Sequence, residues 1–134
     1  MNVLGLAGWS GSGKTTLIRK LLPELARRGV RASTIKHTHH DVELDRPGKD
    51  SYEHRAAGAH EVILVSPRRF ALAREWGDGP QPALDELIAR LDPVDLVLVE
   101  GFRDHPCPKI EVFRPALGKG RLGEVAINVC DFDD

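Results

Sequence analysis

The sequence predicts an α/β fold in which helices cover both faces of a mostly parallel sheet. Three observations carry that expectation. The short apolar run Val3–Ala7 passes through a glycine-rich loop into a stretch with helical spacing. Further strand-length apolar runs then alternate with helical stretches along the chain, the pattern of layered α/β domains. The continuous run Val94–Val99 ends in Glu100, which reads as a parallel strand buried on both faces with a carboxylate at its tip.

The loop after the first strand is Gly8-Trp9-Ser10-Gly11-Ser12-Gly13-Lys14-Thr15-Thr16, a complete match to G-x-x-x-x-G-K-[ST]. Its place between a strand and a helix is the context that motif requires, and it narrows the fold to a three-layer sandwich of the P-loop NTPase type. Gly8, Gly11 and Gly13 let the backbone take positive φ and come close to a phosphate. The curled loop then points backbone N–H groups inward as an anion nest, and the following helix adds its unpaired N-terminal donors. Lys14 supplies a full charge for the β- and γ-phosphates, and the Thr15 hydroxyl suits the shell of a Mg²⁺ that keeps most of its waters. Lys14 and Glu100 are the candidate catalytic residues, acting on charge at the transferring phosphoryl group.

The first helix is expected from Lys14 to Arg28, with Leu17, Ile18, Leu21, Leu22 and Leu25 on one face and Gly29 after its end. Val30–Lys36 reads as the second strand, completing a β-α-β unit. The polar segment Lys36-His37-Thr38-His39-His40-Asp41 follows at the C-terminal end of that strand, the edge where open α/β sheets bind ligands. From residue type alone it is a metal site, a phosphate or substrate contact, or a solvated loop. Asp41, Asp45 and Asp50 are candidates around Mg²⁺, and Asp50 also fits an N-cap with Glu53 three residues on. Ser51–Ala57 reads as a short helix and Val62–Ser66 as a buried strand. Phe70–Arg74 returns beside it after a short turn, so an antiparallel pair and a mixed sheet are expected. Leu84, Leu87, Ile88 and Leu91 form one face of a third helix, stopped by Asp92-Pro93. In proteins with this loop, an acid placed like Glu100 holds Mg²⁺; Asp95, at the other end of its strand, reads as a start-of-strand residue. Lys109–Phe113 and Val125–Val129 are the last strands. The basic loop between them, with Arg114, Lys119 and Arg121, is either a cover over a phosphorylated ligand or a surface loop. Asn128 and Asp131 echo the N-K-x-D pattern of guanine readers, with Val129 in the lysine's place.

The chain has 134 residues, enough for one domain with a real core and not for two. With 41% hydrophobic and 29% charged residues it has the composition of a soluble globular protein. Its net charge of −1 gives no reason to expect nucleic acid or an anionic membrane as partner. Cys107 and Cys130 are far apart and are expected to stay thiols in a reducing cytoplasm. The start of the chain commits at once to strand and loop, so no targeting segment is expected. No apolar run approaches the roughly 20 residues of a membrane span.

Taken together, the phosphate loop, Ile35-Lys36-His37-Thr38-His39-His40-Asp41, Asp45-Arg46-Pro47-Gly48-Lys49-Asp50-Ser51-Tyr52, Leu98-Val99-Glu100-Gly101-Phe102 and Lys109-Ile110-Glu111-Val112 resemble, in this order, the molybdopterin-guanine dinucleotide biosynthesis protein B family. The resemblance implies a GTP-binding P-loop protein with weak GTPase activity. It further implies an accessory role to the nucleotidyltransferase that joins GMP to molybdopterin, and a homodimer. Carried over by residue, Gly11, Ser12, Gly13, Lys14, Thr15 and Thr16 would hold the phosphates, and Thr15 with Glu100 the Mg²⁺. The segment from His37 to Asp41 would face the γ-phosphate or the pterin, which makes His37 a candidate nucleotide contact beside Asp41, already a candidate metal ligand by residue type. Asp131 would contact guanine. Family members usually continue beyond that acid, whereas this sequence runs three residues past it. The resemblance therefore implies a base pocket that is incomplete or supplied by a dimer partner or separate chain. Two alternatives share the same parts. One is a nucleotide-gated adaptor without significant turnover. The other is a small-molecule kinase, which would need a denser arginine lid than Arg114 and Arg121 provide. No arginine finger is evident within the chain, which predicts slow turnover.

Overall fold

The computed structural model describes residues 1–38, 49–120 and 127–130. The elements in chain order are β1 (Asn2–Ala7), α1 (Lys14–Arg27), β2 (Ala32–Lys36), α2 (Asp50–Ala56), β3 (Glu61–Val65), β4 (Phe70–Arg74), α3 (Leu84–Ala89), β5 (Leu96–Glu100) and β6 (Lys109–Phe113), then a 3₁₀ turn (Pro115–Leu117) and β7 (Ile127–Cys130). They divide into two compact units, Met1–Thr38 with Ala83–Asp134, and His39–Pro82.

The first unit is built on a five-stranded sheet in the order β2-β5-β1-β6-β7. All four pairings are parallel. β1 and β2 are therefore not neighbours: the crossover through α1 leaves one strand position, which β5 fills. Leu6 pairs in register with Glu100, and so does Lys36 on the other side of β5. The C-terminal tips of β1, β5 and β2 thus lie side by side, about 4.8 Å apart from strand to strand. Asp95 ties the opposite end together, its carboxylate accepting from the Arg31 N–H at 2.8 Å.

Among the strands whose burial is described, β5 is the most buried, as its unbroken apolar run requires. Val97 and Val99 point to one face and pack with Leu84 of α3; Val3, Ile35, Ile88, Leu91, Val94 and Phe102 complete that cluster. α1 carries its Leu17, Ile18, Leu21, Leu22 and Leu25 stripe half-buried. The helix continues through Pro23 and ends in a Schellman motif: Gly29 N–H donates to the Ala26 carbonyl and Val30 N–H to that of Leu25.

In the second unit, β3 and β4 form the expected antiparallel hairpin, closed by Ser66 N–H donating to the Arg69 carbonyl at 2.8 Å. It is a separate two-stranded sheet rather than an edge of the parallel one. The expectation that this strand is buried does not hold, because within β3 only Val62 is buried. A two-stranded ribbon has too little sheet to cover both faces of such an apolar run. Arg55 lies over the Tyr52 ring and pairs with Glu75, and Glu61 faces Arg74 across the hairpin. α2 starts one residue earlier than expected: Asp50 is its first helical residue, and Lys49 takes the N-cap position with extended backbone.

Candidate functional site

The glycine-rich loop leaves β1 at Gly8 and enters α1 at Lys14. Gly11 and Gly13 take positive φ, as expected. Gly8 does not, and its requirement is a different one. A Cβ there would lie 2.5 Å from the Ser12 hydroxyl and 2.6 Å from the Val112 carbonyl oxygen. Gly8 is thus needed for close approach of the loop to its own far side and to β6. The loop closes on itself through Ser12 N–H donating to the Trp9 carbonyl at 3.0 Å.

Gly13 caps α1 with left-handed backbone and no side-chain hydrogen bond, and no acidic residue stands in the first turn. The positive end of the helix dipole and its first N–H groups therefore meet no carboxylate of their own turn. α3 differs, with Asp85 and Glu86 in its first turn. An anion is the natural partner for the α1 terminus.

Lys14 folds back over the loop. Its ammonium donates to the Gly8 carbonyl at 2.6 Å and to the Trp9 carbonyl at 3.2 Å. Burial lowers its pKa below the ordinary 10.5; Glu100 opposes this by attraction, while the charges of Arg103 and Lys36 lower it further. One acid and three cations therefore share a local field. The excess of positive charge is suited to a polyanion.

Glu100 sits half-buried at the tip of β5, between Leu6 and Lys36 of the adjoining strands. His37, just past β2, donates its N–H to the Glu100 carbonyl at 2.8 Å, and its ring stacks on Phe102 with centroids 4.5 Å apart. Gly101 makes this possible: at φ +96°, its missing Cβ would lie 2.7 Å from that of His37. Phe102 follows at φ +52°, the one non-glycine residue with positive φ among those described.

The structure thus gathers Gly11, Ser12, Gly13, Lys14, Thr15 and Thr16, Glu100 and His37 along one sheet edge. Asp41 and Asp131 lie outside the described residues, as do His39, His40, Asp45 and Arg121. Among the described residues no group of three or more His, Cys, Asp or Glu is placed to hold a metal ion. Mg²⁺ does not need one, since it takes one or two protein oxygens and completes its shell with phosphate and water. Thr15 stands in the first turn of α1 and Glu100 closes β5 at that edge, and their side-chain oxygens are of the chemical kind that ion takes.

Several contacts here are not marked in the sequence. Trp9 donates its indole N–H to the Gly120 carbonyl at 2.9 Å and lies under two cations, Lys119 at 4.8 Å and Arg103 at 5.6 Å from the ring centre. Leu117 lies 3.7 Å from where a Gly11 Cβ would be. Leu117 and Gly120 of the segment after β6 therefore touch the phosphate loop. Glu111, buried in β6, pairs in register with Ala7, the residue before the loop. No local motif marks Trp9, Arg103 or Gly120, because their meeting depends on strand order and on contacts between residues up to 111 positions apart.

A family model for molybdopterin guanine dinucleotide synthesis protein B matches residues 3–130. The chain belongs to this family. The molybdopterin-guanine dinucleotide biosynthesis adapter protein of Escherichia coli (strain K12) is 50% identical over 118 residues, covering 87% of this chain and 67% of that protein. The adapter protein of the same description from Haemophilus influenzae is 48% identical over 120 residues, covering 87% of this chain and 66% of that one. The chain thus spans about two thirds of the length of these curated relatives. Among solved structures, Bacillus subtilis MobB superposes with a TM-score of 0.71 at 25% identity, over 96% of this chain and 77% of that one. The family resemblance carried by the sequence motifs and the P-loop type of α/β fold are both borne out.

Proposed function

We propose that this chain is a cytoplasmic GTP-binding accessory protein of molybdenum cofactor biosynthesis. In this reading it assists the conversion of molybdopterin to its guanine dinucleotide form and hydrolyses GTP slowly. The observation that carries it is the loop-and-helix geometry of a phosphate site, with an uncapped α1 terminus and Lys14 over the Gly8 and Trp9 carbonyls, in a chain of this family. Gly11 to Thr16 bind the phosphates. Lys14 swings from the loop carbonyls to the β- and γ-phosphates, exchanging neutral acceptors for anionic ones. Thr15 and Glu100 hold Mg²⁺, with Asp41 as a further candidate ligand; when bound, the ion offsets charge developing on the phosphoryl oxygens. His37, anchored to Glu100 and Phe102, faces the same edge, and Asp131 contacts guanine.

The partners follow from this role: a guanine nucleotide, and molybdopterin or the nucleotidyltransferase that modifies it. The chain acts as a homodimer. Support for a protein-covered surface comes from the β3–β4 hairpin, where Ile63, Leu64, Val65 and Phe70 are 57–70% exposed. So dense an apolar patch marks an interface. Sedimentation of the 14.8 kDa chain as a monomer at micromolar concentration would refute the dimer.

The deciding experiment is calorimetric titration of the chain with GTP and with ATP, each with Mg²⁺. A GTP preference is expected, with Lys14→Ala abolishing tight binding of nucleotide. Equal affinity for the two bases would remove the guanine assignment, and unchanged affinity in Lys14→Ala would remove the site.

A further inference from the structure

We propose that Arg103 is the terminal-phosphate contact of this site, a cation supplied by the chain itself and positioned by Trp9, so that the site tells a nucleoside triphosphate from a diphosphate. The proposal rests on the nucleotide reading above and adds a residue and a selectivity to it.

The polarity of the loop comes first. In loops of this type the lysine reaches the β- and γ-phosphates. Here the Lys14 ammonium lies on the Gly8 and Trp9 carbonyls, so the Gly8–Trp9 end of the loop is the terminal-phosphate end. Arg103 stands over the Trp9 ring at that end, 5.6 Å from its centre. Its charge acts on Lys14, so the two cations are within electrostatic reach of one another.

The backbone explains why residue 103 arrives there. Past Glu100 the chain turns through two successive positive-φ residues, Gly101 at +96° and Phe102 at +52°. The Phe102 ring is taken up by the core cluster and by His37. An unfavourable backbone at a non-glycine residue persists only where its surroundings over-determine it, and such places concentrate at functional sites. With Phe102 fixed, the next side chain is delivered to the loop.

Arg103 is exposed and has no ion pair among the described residues. Its partner is a neutral ring, which it shares with Lys119. The ring itself is oriented by the bond from its indole N–H to Gly120. Two like charges on one ring repel, and a cation–π contact at an exposed site is weak compared with a charge-assisted bond to phosphate. A guanidinium also suits this ligand, because its planar fork can take two oxygens of one phosphate. Trp9 therefore holds Arg103 ready, and a γ-phosphate draws it off the ring.

The test uses the full chain with Mg²⁺, titrated with GDP and with a non-hydrolysable GTP analogue. Wild type is compared with Arg103→Ala and Arg103→Lys. Arg103→Ala should lose about tenfold or more in affinity for the analogue and less than about twofold for GDP. Arg103→Lys should recover part of the loss, since it keeps the charge without the fork. Retained GDP affinity shows that the variant is folded. Equal loss for both ligands, or no loss for either, overturns the proposal. Failure of the wild type to bind either nucleotide removes the nucleotide reading itself, a result distinct from both. Trp9 supplies a second readout. With Trp76→Phe it is the only tryptophan of the two in the chain. Its emission should respond to the analogue more than to GDP, and the difference should vanish in Arg103→Ala. Equal responses to the two ligands overturn the role given to Trp9.

Discussion

Replacing Gly101 with alanine tests whether the close fit between β5 and His37 is real. Two costs add. Positive φ in a residue with a Cβ costs about 1–2 kcal/mol, and φ +96° lies beyond the usual left-handed well. The new methyl would then stand 2.7 Å from the His37 Cβ and 3.4 Å from its carbonyl oxygen, and overpacking of this kind costs about 1–3 kcal/mol. The expected loss is about 2–5 kcal/mol. Gly29→Ala is the matched control, since Gly29 has φ +75° and nothing within 4 Å of an added Cβ. It should lose only the backbone part, about 1–2 kcal/mol. Urea unfolding followed by Trp9 fluorescence in a Trp76→Phe background reports on the unit that contains both glycines, because Trp76 belongs to the other unit. At a slope of about 2 kcal/mol per molar urea, an excess of about 2 kcal/mol separates the two midpoints by about 1 M. Coincident midpoints would mean that His37 yields without cost, and the close-fit argument would fail.

Three further outcomes are expected. Leu84→Ala removes the side chain that α3 buries against Val97 and Val99, so it should cost about 3 kcal/mol by the same unfolding assay; a loss under about 1 kcal/mol would mean that α3 contributes little to the core. Glu100→Gln should lower Mg²⁺-dependent GTP hydrolysis more than nucleotide affinity, and unchanged hydrolysis would move the acid's role elsewhere, with Asp41 the next candidate. Affinity for tripolyphosphate should fall as pH rises. Binding favours the Lys14 ammonium, whose pKa in the free protein is lowered, so the fall begins below the ordinary value of 10.5. Glu100 opposes that lowering, while Arg103 and Lys36 add to it, so Arg103→Ala should shift the fall to higher pH. Lys14→Arg should hold affinity flat across the range, because a guanidinium keeps its proton. A fall at the same pH in wild type and Lys14→Arg would refute the assignment to Lys14.

Some parts of this protein were legible in the linear chain because they are local. The phosphate loop is a run of consecutive residues whose types are dictated by backbone geometry and one ligand, so Gly11, Gly13, Lys14 and Thr15 could be named without a fold. β5 was legible because a strand covered on both faces must be apolar throughout, and Glu100 because it interrupts that run at one end. Gly29 was legible as a helix stop because a left-handed terminus favours glycine. Other readings missed for physical reasons. Ile63 and Leu64 look like core by composition, yet burial depends on how much sheet surrounds a strand, and a lone hairpin offers little. Gly8 looks like a positive-φ glycine, but its constraint is the Val112 carbonyl, more than a hundred residues away in sequence.

Residue types and short-range periodicity therefore sufficed for the fold class, the phosphate loop and the acid at the tip of β5, while the family came from the resemblance of the ordered motifs. Strand order did not follow from them. The pairings of β1 with β5 and β6, and of β5 with β2, are set by long-range packing, and together they bring Glu100, His37 and Lys36 to the edge that carries the loop. The same packing puts Arg103, Lys119 and Gly120 around Trp9. Contacts of that kind arise when the chain closes into a sheet, where partners are chosen by shared burial and register rather than by nearness along the sequence.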